Sequence, residues 1–173
     1  AIPLEVKLKN NFNDAMDLFV KQDVLDGDNK YKCELHNRHI VATKGNLIKT
    51  MSDTLIFHLM RFDYDVATFR KRKVNEYFNF PMRINMKKWT KSGQAQLAAE
   101  QAGLPPNPEL AAEFPEEYYD YQLTGVLVHT GSADSGHYYS FIKDRSSPSG
   151  KWLQFNDRVV SEFDPNAIPQ ECF

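Results

Sequence analysis

The chain has 173 residues, 42% hydrophobic, with 21 Lys and Arg against 23 Asp and Glu, for a formal net charge of −2. That composition is globular and buries about two-thirds of the surface an unfolded chain exposes, which excludes a disordered chain and argues against a general, basic nucleic-acid binder. No apolar run is long enough to span a membrane, no signal-peptide pattern opens the chain, and Cys33 and Cys172 alone cannot make a disulfide framework, so a soluble, intracellular protein is expected.

In chain order, Ile2, Leu4, Val6 and Leu8 alternate with polar residues, so the spacing predicts a half-buried strand over 2–8. Asn10 and Asn11 offer a helix cap, and Phe12, Ala15, Met16 and Phe19 follow at helical spacing, giving a helix over 12–21. A turn at 26–29 leads to two strands at 30–35 and 39–50, with His36-Asn37-Arg38 as a polar corner. Residues 54–62 form the strongest candidate for a buried strand, and alternation returns at 74–80 before Pro81. Residues 91–120 read as a mobile surface insertion: an Ala/Gln-rich helix at 94–102, three prolines, then an acidic and aromatic cluster. Strands are expected at 121–129, 137–143, 151–155 and 159–163, with a small-residue loop at 130–136 and a turn at 146–150. The pattern is strand-dominated with few helices, hence α+β.

The most informative stretch for chemistry is 125–157. His137 follows a glycine-bounded loop at the start of a strand, and Asn156-Asp157 ends the strand after the next turn. Adjacent antiparallel strands would bring them side by side at one sheet edge. An imidazole held by an amide or carboxylate is the base-and-orienter pair of a nucleophilic hydrolase, although a surface or capping His satisfies the same spacing. Neither cysteine precedes a helix N-terminus, so neither has the setting of an activated thiol. Cys33 and His36 have the spacing of half a tetrahedral zinc site, or of a strand cysteine beside an exposed turn histidine. Arg70–Lys73 reads as a solvated hairpin tip between two strands. Glu113, Glu116, Glu117 and Asp120 read as a solvated face or a patch for a basic peptide. His58 is expected to be a core or hydrogen-bonded structural histidine, and His129 competes with His137 for the role of base.

Several segments carry a family resemblance in the same order. Tyr121–Gly131, Gly136-His137-Tyr138-Tyr139 and Lys151–Asp157 resemble the His box of the ubiquitin-specific proteases. Asn29–Cys33, Leu55–Tyr64 and Val74–Pro81 are similar to the upstream segments of that family, in the style of its very large members. The resemblance runs from residue 3 to about 165. It implies a papain-like cysteine protease of fingers, palm and thumb that cleaves after the C-terminal glycine of ubiquitin, with ubiquitin and ubiquitinated proteins as partners and no nucleic acid or membrane. It implies His137 as general base, Asn156 as the residue orienting it, Asp157 as an assistant, and Gly136, Tyr138 and Ser135 as contacts for the ubiquitin tail. Residues 1–80 then correspond to fingers and palm strands, 91–120 to a lengthened covering loop, and 121–165 to the palm with the His box.

The chain departs from the family pattern in two ways. The family's Cys box, a segment that opens a helix upstream of the fingers, is absent together with the thumb, and the chain begins at Ala1, so it is expected to be the C-terminal part of a catalytic domain and inert alone. The fingers' zinc pair reads Cys33-x2-His36, which leaves structural zinc in question, while catalysis requires no cofactor. The competing readings are a non-catalytic ubiquitin-binding scaffold and, more remotely, a zinc-ribbon module. A cytoplasmic location is expected, with the nucleus as a second one.

Overall fold

The computed structural model describes residues 1–105, 114–148 and 150–172. The expected prolines Pro106 and Pro108, Glu113 and part of the 146–150 turn lie outside them.

The first strand is β1 (Ile2–Glu5), which pairs in parallel with β6 (Phe57–Met60) and buries Leu4. It stops before Leu8, which is 93% exposed with φ 59°, so the alternation at 6–8 overruns the strand. Helix α1 (Phe12–Val20) starts where expected: the Asn11 side chain accepts from the Asp14 amide at 2.9 Å, satisfying one of the unpaired N–H groups of the first turn. Phe12, Ala15, Met16 and Val20 fall on one face and pack against Leu4, Val6, Val74, Phe78, Met86 and Trp89. Trp89 Nε1 donates to Asp17 at 2.7 Å and ties the helix to the turn ahead of residue 90.

Two small antiparallel ladders follow, β2 (Asp23–Leu25) with β5 (Ala42–Lys44), and β3 (Tyr31–Cys33) with β4 (Arg38–Ile40). The strand expected at 39–50 is thus two short pieces broken at Val41. The run at 54–62 is not a buried strand: it alternates, leaving Ile56 64% and Met60 46% exposed. His58 is exposed and not a core residue. After Arg61 the chain continues as β7 (Phe62–Asp65), which pairs with β8 (Arg70–Lys73). The basic run is therefore a strand, not a tip; the tip is 66–69. No strand forms at 74–80 beyond a single bridge at Asn79, because Val74 and Phe78 are drawn into the helix core.

Strand β9 (Arg83–Asn85) pairs with β10 (Asp120–Gln122), so a ladder formed just ahead of the insertion and at its end closes it off. Between them α2 (Lys91–Gln101) is capped by Thr90, whose hydroxyl accepts from the Gly93 amide. Glu116 pairs with Lys87 and accepts from Asn85, which also donates to Asp120, so much of the acidic cluster is used inside the fold.

Strands β11 (Gly125–Gly131), β12 (Gly136–Lys143), β13 (Trp152–Asn156) and β14 (Val159–Phe163) form one antiparallel meander in that order. The register sets Val126, Phe141 and Gln154 on one face and Leu127, Ser140, Phe155 and Val160 on the other. Phe141 and Trp152 are buried with Ile168 and Cys172 around the short helix α3 (Ile168–Glu171). Leu127 is 71% and Val160 53% exposed. Both faces therefore carry apolar residues. Phe80 touches both cores and links them.

The face assignment is testable. Phe141→Ala should lower stability by about 3–5 kcal/mol, while Leu127→Ala should change it by about 0.5 kcal/mol or less. Urea unfolding measures both; equal shifts would contradict the assignment.

Candidate active site

His137 is the second residue of β12 and shares the inward face with Tyr139 and Phe141, two and four residues on. Phe141 is buried and stacks on Phe163 at 3.8 Å between ring centroids, so the strand carrying His137 is anchored a few residues away. Asn156 ends β13 on the same face, opposite Val159. The β12–β13 pairing (Ser140 with Phe155) carries the two side chains to one end of the sheet. His137 Nε2 and Asn156 Oδ1 lie 2.6 Å apart. An amide oxygen only accepts, so Nε2 carries the proton and donates, and Nδ1 keeps the free lone pair. The His137 side chain is 46% exposed, so the ring is half open to solvent.

Asp157 stands differently. It opens the two-residue turn between β13 and β14 with φ 52°, a conformation Asp tolerates better than most residues. Its carboxylate is 78% exposed and 4.0 Å from His137 Nε2, at the limit of an ion pair and available only to a protonated ring. The amide, not the carboxylate, holds the imidazole.

The loop before His137 is shorter than expected. Strand pairing continues through Thr130 with His137 and Gly131 with Gly136, leaving only 132–135 as the connection. Ser132 closes it: its amide donates to the Ser135 carbonyl at 2.8 Å, and its hydroxyl accepts from the Asp134 and Ser135 amides. Two glycines are required by space. Gly131 has φ 109°, and a Cβ there would lie 2.5 Å from the Ser135 carbonyl oxygen. A Cβ on Gly136 would lie 2.2 Å from His129 Nε2 and 2.3 Å from the Thr130 oxygen. Ser135 and Tyr138 are exposed at the loop and just beyond it.

His129, the competing histidine, stands apart from Asn156. Its ring lies between Phe62, at 5.2 Å, and Tyr138, at 4.6 Å, and its Nδ1 is buried without a hydrogen-bond partner. Cys33 and His36 do meet, Sγ to Nδ1 at 3.1 Å, in the β3–β4 connection. Among the described residues no group of three or more His, Cys, Asp or Glu side chains could hold a metal ion, so these two would need donors from elsewhere. Cys172 is buried in the second core. Lys73 and Phe62 lie at the rim of the loop, which sequence reading missed. Lys73 was hidden in a basic run, and only the β7–β8 register sets it directly opposite Phe62.

An α+β fold with a mostly antiparallel sheet presenting a histidine beside an asparagine is the arrangement of the papain-like cysteine hydrolases. The chain belongs to a family described as "Ubiquitin carboxyl-terminal hydrolase", whose pattern matches residues 6–171. It is 37% identical to human ubiquitin carboxyl-terminal hydrolase 24 over all of this chain and 7% of that protein. It is 36% identical to human ubiquitin carboxyl-terminal hydrolase 34 over 94% of this chain and 5% of that protein. It therefore spans a small fraction of these very large relatives. Among solved structures it is similar to one titled a SAGA Ubp8/Sgf11/Sus1/Sgf73 DUB module bound to ubiquitin aldehyde. The TM-score there is 0.72 at 26% identity, covering 98% of this chain and 33% of the other.

The tautomer is measurable. Long-range proton–nitrogen NMR of His137 should show Nε2–H predominating, and Asn156→Ala should give a mixture. Gly136→Ala should disturb the same signal by displacing His129 or the strand.

Proposed function

We propose that this chain supplies the base-bearing part of a deubiquitinating cysteine protease, which hydrolyses the bond after the C-terminal glycine of ubiquitin. The observation that carries this reading is the 2.6 Å contact between His137 Nε2 and Asn156 Oδ1, which leaves Nδ1 with the lone pair of a base. Family membership and the likeness to a ubiquitin-aldehyde complex supply the substrate class.

In this mechanism Nδ1 takes the proton of a cysteine thiol. The thiolate attacks the carbonyl of the ubiquitin glycine, and the imidazolium returns the proton to the departing lysine amine. Water then releases the ubiquitin carboxylate by the same base. Asn156 keeps the ring in the productive tautomer and orientation, and Asp157 assists when the ring is charged. Thiol, imidazole and amide suffice for this acyl transfer without a cofactor, and a structural zinc at Cys33 and His36 is a separate matter of folding.

The nucleophile in this reading lies outside the chain. Cys33 bonds to His36 and Cys172 packs with Phe141 and Trp152, so neither is presented to His137. The four-stranded sheet serves as the palm, the β2–β5 and β3–β4 ladders as part of the fingers, and residues 91–120 as a covering loop. Gly136, Tyr138 and Ser135 line the path of the ubiquitin tail. A cytoplasmic or nuclear location goes with these partners.

Ubiquitin carrying a thiol-reactive C-terminal group should label the full-length parent protein on a cysteine upstream of Ala1. His137→Ala should lower ubiquitin-ester hydrolysis by about 10²–10⁴-fold while leaving ubiquitin affinity unchanged. Peptide mapping that found the adduct on Cys33 or Cys172 would refute the assignment of the nucleophile. Reversible binding with no adduct and no hydrolysis would favour a non-catalytic ubiquitin-binding scaffold.

A further inference from the structure

Lys73 is the last residue of β8 and the one member of the Arg70–Lys73 run that is partly buried rather than exposed. Its ammonium does not join the hairpin's acidic residues. Lys7 pairs with Asp63 and Arg72 with Glu76, while Lys73 Nζ donates to the carbonyl oxygens of His129, at 2.7 Å, and Gly131, at 3.3 Å. These carbonyls are two residues apart on β11, so they point the same way, while the Thr130 oxygen lies against Gly136 of β12. Strand β11 is an edge of the sheet. The two carbonyls therefore leave the sheet on its open side, where no strand answers them, and the ammonium takes the place of that strand.

The hairpin grips the same residue twice. Phe62, directly opposite Lys73, packs edge-on against the His129 ring whose carbonyl Lys73 holds. Tyr138 also packs on that ring, and the ring's Nε2 fills the space where Gly136 would carry a Cβ. Gly136 is bonded to His137. The base of the hairpin is itself pinned by Arg61, which donates to the carbonyls of Val74 and Glu76 at 3.0 and 3.1 Å and accepts from the Val74 amide through its own carbonyl. A continuous set of contacts runs from Arg61 and Val74 through Lys73 and Phe62 to His129, Gly136 and His137.

We infer that Lys73 is a positioning residue for the catalytic base: its ammonium, bound to the His129 and Gly131 carbonyls, fixes the end of β11 and with it the place of His137 on β12. Burial, followed by the nearby Arg61 cation, lowers the pKa of this ammonium, so its place is held at a cost that the two carbonyls offset. Lys73 touches neither His137 nor Asn156. Its effect is on the geometry of the base, and a base displaced by about 1 Å loses on the order of 100-fold in rate.

The inference rests on the protease reading, and the experiment separates the two. In the full-length parent, kcat and KM for a ubiquitin ester are measured for the unaltered protein and for K73M, K73R, K71M and H137A. Hydrogen exchange is followed over residues 125–143. Met keeps the aliphatic stem and removes the donor, Arg restores a charged donor, and Lys71 is an exposed neighbour. K73M is expected to lower kcat by about 10–100-fold with KM nearly unchanged and to speed exchange at 129–137; K73R should recover part of the rate, and K71M should match the unaltered protein. If H137A abolishes turnover but K73M turns over normally, Lys73 does not position the base and the protease reading stands. A parent protein inactive in every form would end the protease reading. Exchange alone then decides the structural claim, with unchanged protection at 129–137 in K73M overturning it.

Discussion

The arrangement depends on one hydrogen bond across two strands, from His137 Nε2 to Asn156 Oδ1. It is local in space but not in sequence. It requires the 144–151 connection to return β13 beside β12 in a register that sets Ser140 against Phe155. A shift of that register by one residue would turn Asn156 to the opposite face and leave the imidazole unheld. The register is held by what lies further along: Phe141 and Trp152 buried inward, Phe163 stacked on Phe141, and Ile168 and Cys172 closing the cluster. The apolar core beneath the sheet is therefore also what aims the imidazole of His137.

Asparagine in place of a carboxylate changes the electrostatics of the pair. The amide selects the tautomer and the ring orientation through geometry, but it adds no negative charge to favour an imidazolium. Among the described residues Asp157 is the carboxylate in contact range, and its 4.0 Å distance and 78% exposure make it weak in water and screened by salt. The site thus relies on exact placement more than on charge. That raises the importance of whatever fixes the backbone around His137, including the crowded Gly136 and the closed turn built on Ser132.

Much of this was legible in the sequence. Asn11 as a cap, the inward stripe of α1 and the pairing of His137 with Asn156 each follow from local signals: a capping residue, a 3.6-residue period, two strands and a turn. The failures share a cause. Residues 54–62 are apolar on both faces, so composition suggested burial where the β1–β6 pairing leaves Ile56 and Met60 exposed. The alternation at 74–80 comes from Val74 and Phe78 entering the helix core, not from a strand. The basic run was read by charge, whereas its role is set by which strand it pairs with. Tertiary partners decided each of these, and one sequence does not display them.

The open edge of β11 shows how stability and chemistry share a residue. An unpaired edge strand is a hazard, because its exposed carbonyls and amides invite another chain, and a lysine is a common guard. Here the lysine comes from a different hairpin and turns its ammonium onto the edge instead of out to solvent. The guarded segment is also the one that leads into the 132–135 loop ahead of His137. Binding the edge with a charged donor rather than a fifth strand protects it with a single side chain and leaves the loop's outer surface open.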